Sequence, residues 1–139
     1  MTVSGRRTVL FVCPHGAGKS RIAAAWFSGL DVAGWTATSA GVHPQAQVSA
    51  HAARLLAGTP VLGLLDEALP RPMSAVSRAD LLVAIDCPPE VGADVRWTLA
   101  HQDFDEWMCA EIRDRVEHLV ASWPADAPVF TPGSNPGSG

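Results

Sequence analysis

The chain has 139 residues, 47% of them hydrophobic and 17% charged, a composition that fits one compact domain and is not that of a disordered chain. Its formal charge of -4, with no basic stripe, excludes the usual nucleic-acid binder, so an anionic ligand has to be held by local features. Apolar runs are far shorter than the ~20 residues that span a bilayer. The opening MTVSGRR also lacks the apolar core of a signal peptide, so a cytoplasmic protein without membrane contact is expected.

Val9 to Val12 is fully apolar and reads as a central strand buried on both faces. A loop with Gly16 and Gly18 follows. From Ser20 onward Ile22, Ala25, Trp26, Gly29 and Leu30 recur at helical spacing. Trp35 to Ser39 is a second strand candidate, and Val48 to Ala57 a helix broken by Gly58 and Pro60. The segment SAVSRAD is expected to form a short helix running into a third strand, Leu81 to Ile85, with Asp86 at its end. Val95 to Leu99 is the fourth strand candidate. The last helix is capped by Asp103 or Asp105 and carries Ile112, Val116, Leu119, Val120 and Trp123 on one side. Residues 1–124 thus read as one domain, followed by a loose Pro/Gly/Ser-rich tail over 125–139.

Strands alternating with helices predict an α/β fold, a three-layer sandwich around a four-stranded parallel sheet. Ligands of such sheets bind beyond the carboxyl ends of the strands, which is where Cys13 to Ser20 falls. Three cysteines without CxxC or Cys/His spacing point to free thiols and to neither zinc nor a disulfide scaffold. The chain has nine arginines, and its single lysine, Lys19, lies in the glycine loop.

That loop, CPHGAGKS, supports two functional readings. As a nucleotide-binding loop of the form GxxxxGK[ST] it matches at Gly18, Lys19 and Ser20, with Cys13 where the first glycine belongs. Asp86 would then stand at the strand end that helps hold Mg2+. Alternatively Cys13 is a nucleophile, since backbone N-H groups, a helix N-terminus, a cation and a hydroxyl all favour a thiolate there.

The second arrangement resembles the low-molecular-weight protein tyrosine phosphatase superfamily, which includes the thioredoxin-coupled arsenate reductases. Its signature is a first strand, Cys, five residues, Arg and Ser; here Cys13, five residues, Lys19 and Ser20 stand in that order. TSAGVHP (38–44), ADLLVAID (79–86) and VRW (95–97) followed by Asp103 continue the likeness over about residues 7 to 123. The resemblance implies a phosphate-monoester hydrolase in which Cys13 attacks phosphorus. Pro14, His15, Gly16, Ala17, Gly18 and Lys19 would hold the equatorial oxygens, and Ser20 would stabilise the thiolate. Asp103, before Asp105, would protonate the leaving oxygen, with no metal or cofactor.

In the arsenate-reductase alternative the oxyanion is arsenate, Cys87 falls near the reductases' first resolving thiol, and a thioredoxin-type reductant is the implied partner. Departures from the family pattern are Lys19 for its arginine, His15-Gly16 for its Gly-Asn, and Phe104 for the proline after its acid. The chain has no tyrosines to grip an aromatic substrate; Trp97 or Phe104 could serve instead. Cys109, Trp26, Trp35, Trp107 and Trp123 read as core, His51 and His118 as exposed helix positions, and Asp86 as a turn cap.

Overall fold

The structure is a computed structural model that describes residues 7–16, 18–47, 50–76 and 79–122. Its elements are β1 (Arg7–Cys13), α1 (Lys19–Gly29), β2 (Trp35–Gly41), α2 (Ala50–Leu56), β3 (Leu81–Ile85), β4 (Val95–Trp97) and α3 (Glu106–Ala121). The four strands form one parallel sheet in the order β2-β1-β3-β4. Paired on both edges and covered on both faces from Val9 onward, β1 has to be apolar there, which is why VLFV is an unbroken run.

Alternation along β1 divides the interior. Val9, Phe11 and Cys13 face the helices and join Ile22 and Phe27 of α1, Leu56 of α2 and Met108, Ile112 and Val116 of α3 in the main core. Burying each of those large side chains contributes roughly 1.5–3 kcal/mol. Leu10 and Val12 face the other way, into a smaller cluster with Ala40, covered by Val42, Met73, Val76 and Cys87. The third layer there is thin. A single 3-10 turn, Met73–Ala75, stands where a short helix was expected, because Pro72 starts it and Val76 is already extended.

Element ends differ from expectation for local reasons. β2 continues to Gly41, paired with Cys13, so both strands reach the loop edge together. β4 stops at Trp97, since the N-H of Leu99 is taken by Asp86 Oδ1 at 2.9 Å and not by a strand. Asp105 is the cap of α3 and accepts the N-H groups of Trp107 and Met108, each at 3.1 Å. Trp107 is not core: it lies 66% exposed on the face opposite Met108 and Ile112 and stacks on the His101 ring, 6.2 Å away. Trp123, the tail and the first two positions of the expected second helix lie outside the described residues. No described helix is long and apolar enough to cross a membrane.

The segment leading into α3 is anchored by Glu111. Its carboxylate accepts the N-H groups of Ala100 and His101, both at 2.9 Å, the His101 ring at 3.0 Å and Arg115 Nε at 3.0 Å. Partial burial works against the charged form, but these donors outweigh it and hold the carboxyl down to about 2. A depressed carboxyl stabilises the fold fully above its ordinary value of 4.5, and that contribution is lost as pH falls from there toward about 2. Glu111→Gln is therefore expected to cost about 1–3 kcal/mol at pH 7 and to flatten the acid limb of stability below pH 4.5, measured by urea unfolding across pH.

Candidate active site

Two glycines set the loop. Gly16 has φ +65°, and a Cβ on it would lie 2.7 Å from Gly41 N, while a Cβ on Gly41 would lie 2.5 Å from the His15 carbonyl carbon. Backbone thus rests directly on backbone. This is the physical reason for the Ser-Ala-Gly sequence at the end of β2, and it lets the chain beyond β2 capture the loop's carbonyls. Val42 N donates to Cys13 O at 3.1 Å, His43 N to Pro14 O at 2.7 Å, and Gln45 N to His15 O at 3.2 Å. Arg21 Nε donates to Gly16 O at 2.8 Å. Four successive carbonyls are turned outward.

In a trans peptide the N-H points opposite the preceding C=O, so the N-H groups of His15 and Gly16 face the inside of the loop. Pro14 has no N-H and contributes only its ring to the wall. The N-terminus of α1 supplies further donors, since its first N-H groups have no intrahelical partner and Gly18 provides no side-chain cap.

The hollow is a cavity of about 350 Å3 lined by Cys13, Pro14, His15, Gly18, Lys19, Gln45 and Phe104. Cys13 is 4% exposed at its floor, with its thiol donating to Ser20 Oγ at 3.2 Å; Ser20 is fully buried. Phe104 packs against the loop so closely that a Cβ on Gly18 would meet its ring at 2.4 Å. Of the residues expected from sequence, Cys13, Pro14, His15, Gly18 and Lys19 line the cavity, Ser20 lies beneath it and Gly16 backs onto Gly41. Ala17 is outside the described residues. Asp103 is exposed and does not line the cavity, although its neighbour Phe104 does. Trp97 is buried against Phe11, so of the two aromatics considered only Phe104 reaches the site.

Lys19 is not a free cation. Its Nζ lies 2.7 Å from Asp86 Oδ2, both side chains being largely buried. Asp86 also accepts Leu99 N at 2.9 Å and Gln102 Nε2 at 3.3 Å, at a positive φ of 53° that Asp and Asn tolerate. It therefore fastens the glycine loop to the segment that carries Asp103 and Phe104. The turn-cap reading of Asp86 was too modest, and its pairing with Lys19 leaves the carboxylate engaged where a nucleotide-binding loop would need it for Mg2+.

Cys87 sits on the other face of the sheet from Cys13. Its sulfur donates to Val12 O at 3.4 Å, and it packs in the smaller cluster. Burial pushes its thiol up, as it does that of Cys109, which is buried in the main core as expected.

Sequence reasoning overlooked Arg21, 1% exposed in the first turn of α1. The available signal was that α1 is apolar nearly all round, which forces a lone arginine among RIAAA to find partners inside. Asp86→Asn, which keeps the backbone conformation and removes the charge, is expected to destabilise the protein by about 1–3 kcal/mol in urea unfolding, because Lys19 is left as a largely buried ion facing a neutral group.

No family model and no curated protein matches the chain. Among solved structures, a thioredoxin-dependent arsenate reductase from Corynebacterium glutamicum is 25% identical with a TM-score of 0.73, covering 87% of this chain and 63% of that one. The chain spans less than two thirds of the length of that relative. An arsenate reductase from Archaeoglobus fulgidus is 32% identical with a TM-score of 0.64, covering 81% of this chain and 98% of that one. A low-molecular-weight protein tyrosine phosphatase from T. tengcongensis shares the fold at 21% identity and a TM-score of 0.62, covering 84% and 99%. With this sheet, this cysteine loop and an Archaeoglobus relative matched over nearly its whole length, the chain belongs to the superfamily of low-molecular-weight protein tyrosine phosphatases and arsenate reductases.

Proposed function

We propose that the protein is a cysteine-dependent phosphate-monoester hydrolase whose loop 13–20 binds the phosphoryl oxygens. One observation carries the reading: Cys13 lies beneath a hollow whose four carbonyls are turned away and whose amides are turned in, with Ser20 3.2 Å from its sulfur. In the reaction the Cys13 thiolate attacks phosphorus, an S-P bond forms and the ester P-O bond breaks. The leaving oxygen takes a proton, and water then cleaves the S-P bond to release inorganic phosphate. The acid is Asp103. Asp105 is committed to capping α3, whereas Asp103 adjoins the cavity wall at Phe104. The site offers one aromatic, Phe104, and a lysine already neutralised by Asp86, which suits a small phosphoester better than a phosphotyrosine side chain.

A second reading, arsenate reduction, is favoured by what the Corynebacterium and Archaeoglobus relatives are called. Cys13 would displace hydroxide from arsenate to form an S–As bond, and attack of the Cys87 thiolate on the Cys13 sulfur would form a disulfide and break that bond, its electron pair leaving with arsenic as arsenite; a thioredoxin-type dithiol would then reduce the disulfide and restore both thiols. The position of Cys87 on the opposite face, with its thiol pushed up by burial, is the reason for ranking this second.

p-Nitrophenyl phosphate turnover and arsenate treatment separate the two. Hydrolysis abolished in Cys13→Ser, reduced about 10²-fold or more in Asp103→Asn and retained in Asp105→Asn is the expected pattern. Asp105→Asn should cost at most a few tenths of a kcal/mol in stability, because Asn also caps well. A Cys13–Cys87 disulfide found by mass spectrometry after arsenate, with no esterase activity, would replace the hydrolase by the reductase.

A further inference from the structure

We propose that Arg21 is the positioning residue of the oxyanion loop: its buried guanidinium clamps the Gly16 carbonyl from outside the hollow and so keeps the loop's amide face toward the anion. The clamp has two ends. Arg21 Nε donates to Gly16 O at 2.8 Å, and Nη1 donates to Asp66 O at 2.5 Å. Gly16 is the one described loop residue at positive φ, with its Cα pressed on Gly41, and the carbonyls of residues 13–15 take their donors from the backbone, the N-H groups of Val42, His43 and Gln45. Among the described residues Arg21 is the donor that keeps the Gly16 carbonyl out of the hollow, where its negative end would oppose an anion.

The other end is firm because Asp66 is itself held. Arg71 Nη2 lies 2.7 Å from Asp66 Oδ2, and Arg71 Nη1 donates to Ser39 O on β2 at 2.8 Å. The chain of contacts runs from β2 through Arg71, Asp66 and Arg21 to the loop.

Charge supports the same role. The Arg21 side chain is wholly buried, its Nη2 has no hydrogen-bond partner among the described residues, and the Asp66 carboxylate is 3.9 Å away and shared with Arg71. A buried cation so incompletely matched is costly to packing alone. Its burial is accounted for by the two carbonyls that the guanidinium bridges, whereas the charge of Lys19 faces Asp86 at 2.7 Å.

This inference rests on the loop being an oxyanion site, and the experiment keeps the two apart. The rate at which iodoacetamide alkylates Cys13, followed by mass spectrometry at increasing inorganic phosphate, gives a phosphate dissociation constant for each variant. In the wild type phosphate should protect. Arg21→Met should weaken protection about tenfold or more, and Arg21→Lys, which keeps charge but has no fork to span both carbonyls, roughly threefold or more. Arg96→Met removes an arginine that bonds the carbonyls of Pro88 and Val91, outside the clamp, and should stay within about twofold. Should the methionine variant at position 21 fail to fold, Arg21→Lys against Arg96→Met carries the comparison. Wild-type dissociation constants in folded Arg21 variants, or equal losses in the Arg96 and Arg21 variants, would overturn the role of Arg21. Absence of protection in the wild type would overturn the oxyanion site itself.

Discussion

The organising constraint of this protein is the contact of two backbones, Gly16 on Gly41, at the carboxyl edge of the sheet. Any side chain at either position would push the loop off the end of β2. With both glycines in place the loop continues the parallel register of β1 against β2, so Val42, His43 and Gln45 take up its carbonyls one after another. An inward-facing set of N-H groups is then a geometric consequence, because each trans peptide has only two poles. Cys13 ends at the floor of that set because it is the last residue of β1 on the helix-facing side.

Charge is placed by a different logic from the one the loop sequence suggests. The lysine beside the glycines is neutralised by Asp86, and what the pair achieves is mechanical. Through Leu99 N and Gln102 the same carboxylate ties the glycine loop to the segment before α3, whose residues Ala100 and His101 are held by Glu111. Asp103 and Phe104 follow directly, between those anchors and the Asp105 cap of α3. A buried arginine one helical position past Ser20 holds the Gly16 carbonyl of the loop and pairs with Asp66.

Most of the fold was legible because its elements announce themselves by period and punctuation. VLFV is a strand buried on both faces, the spacing from Ile112 to Val120 is that of a helix, and the glycines around residues 13–20 mark the loop. The cysteine at the loop's start, the hydroxyl at Ser20 beside it and the glycine at the end of β2 were visible as an ordered set of short motifs. What escaped were properties that depend on pairing across the chain. Nothing near Lys19 announces that a residue 67 positions later faces it, and nothing in RIAAA says that Arg21 turns under the loop. The choice between Asp103 and Asp105 was equally closed to pattern reading, since both can cap a helix and only the hydrogen bonds to Trp107 and Met108 single out Asp105. Cys87 shows the same limit: proximity in topology to Cys13 says nothing about which face of the sheet its side chain takes.

The central claim is that residues 13–20 form an anion cradle above Cys13. The most direct measurement is a crystal structure of the protein soaked in inorganic phosphate. The account predicts a tetrahedral anion seated over Cys13 Sγ with its oxygens about 3 Å from the backbone nitrogens of His15, Gly16 and the first residues of α1. An empty hollow with phosphate bound elsewhere, or a loop whose carbonyls point at the anion's place, would contradict it.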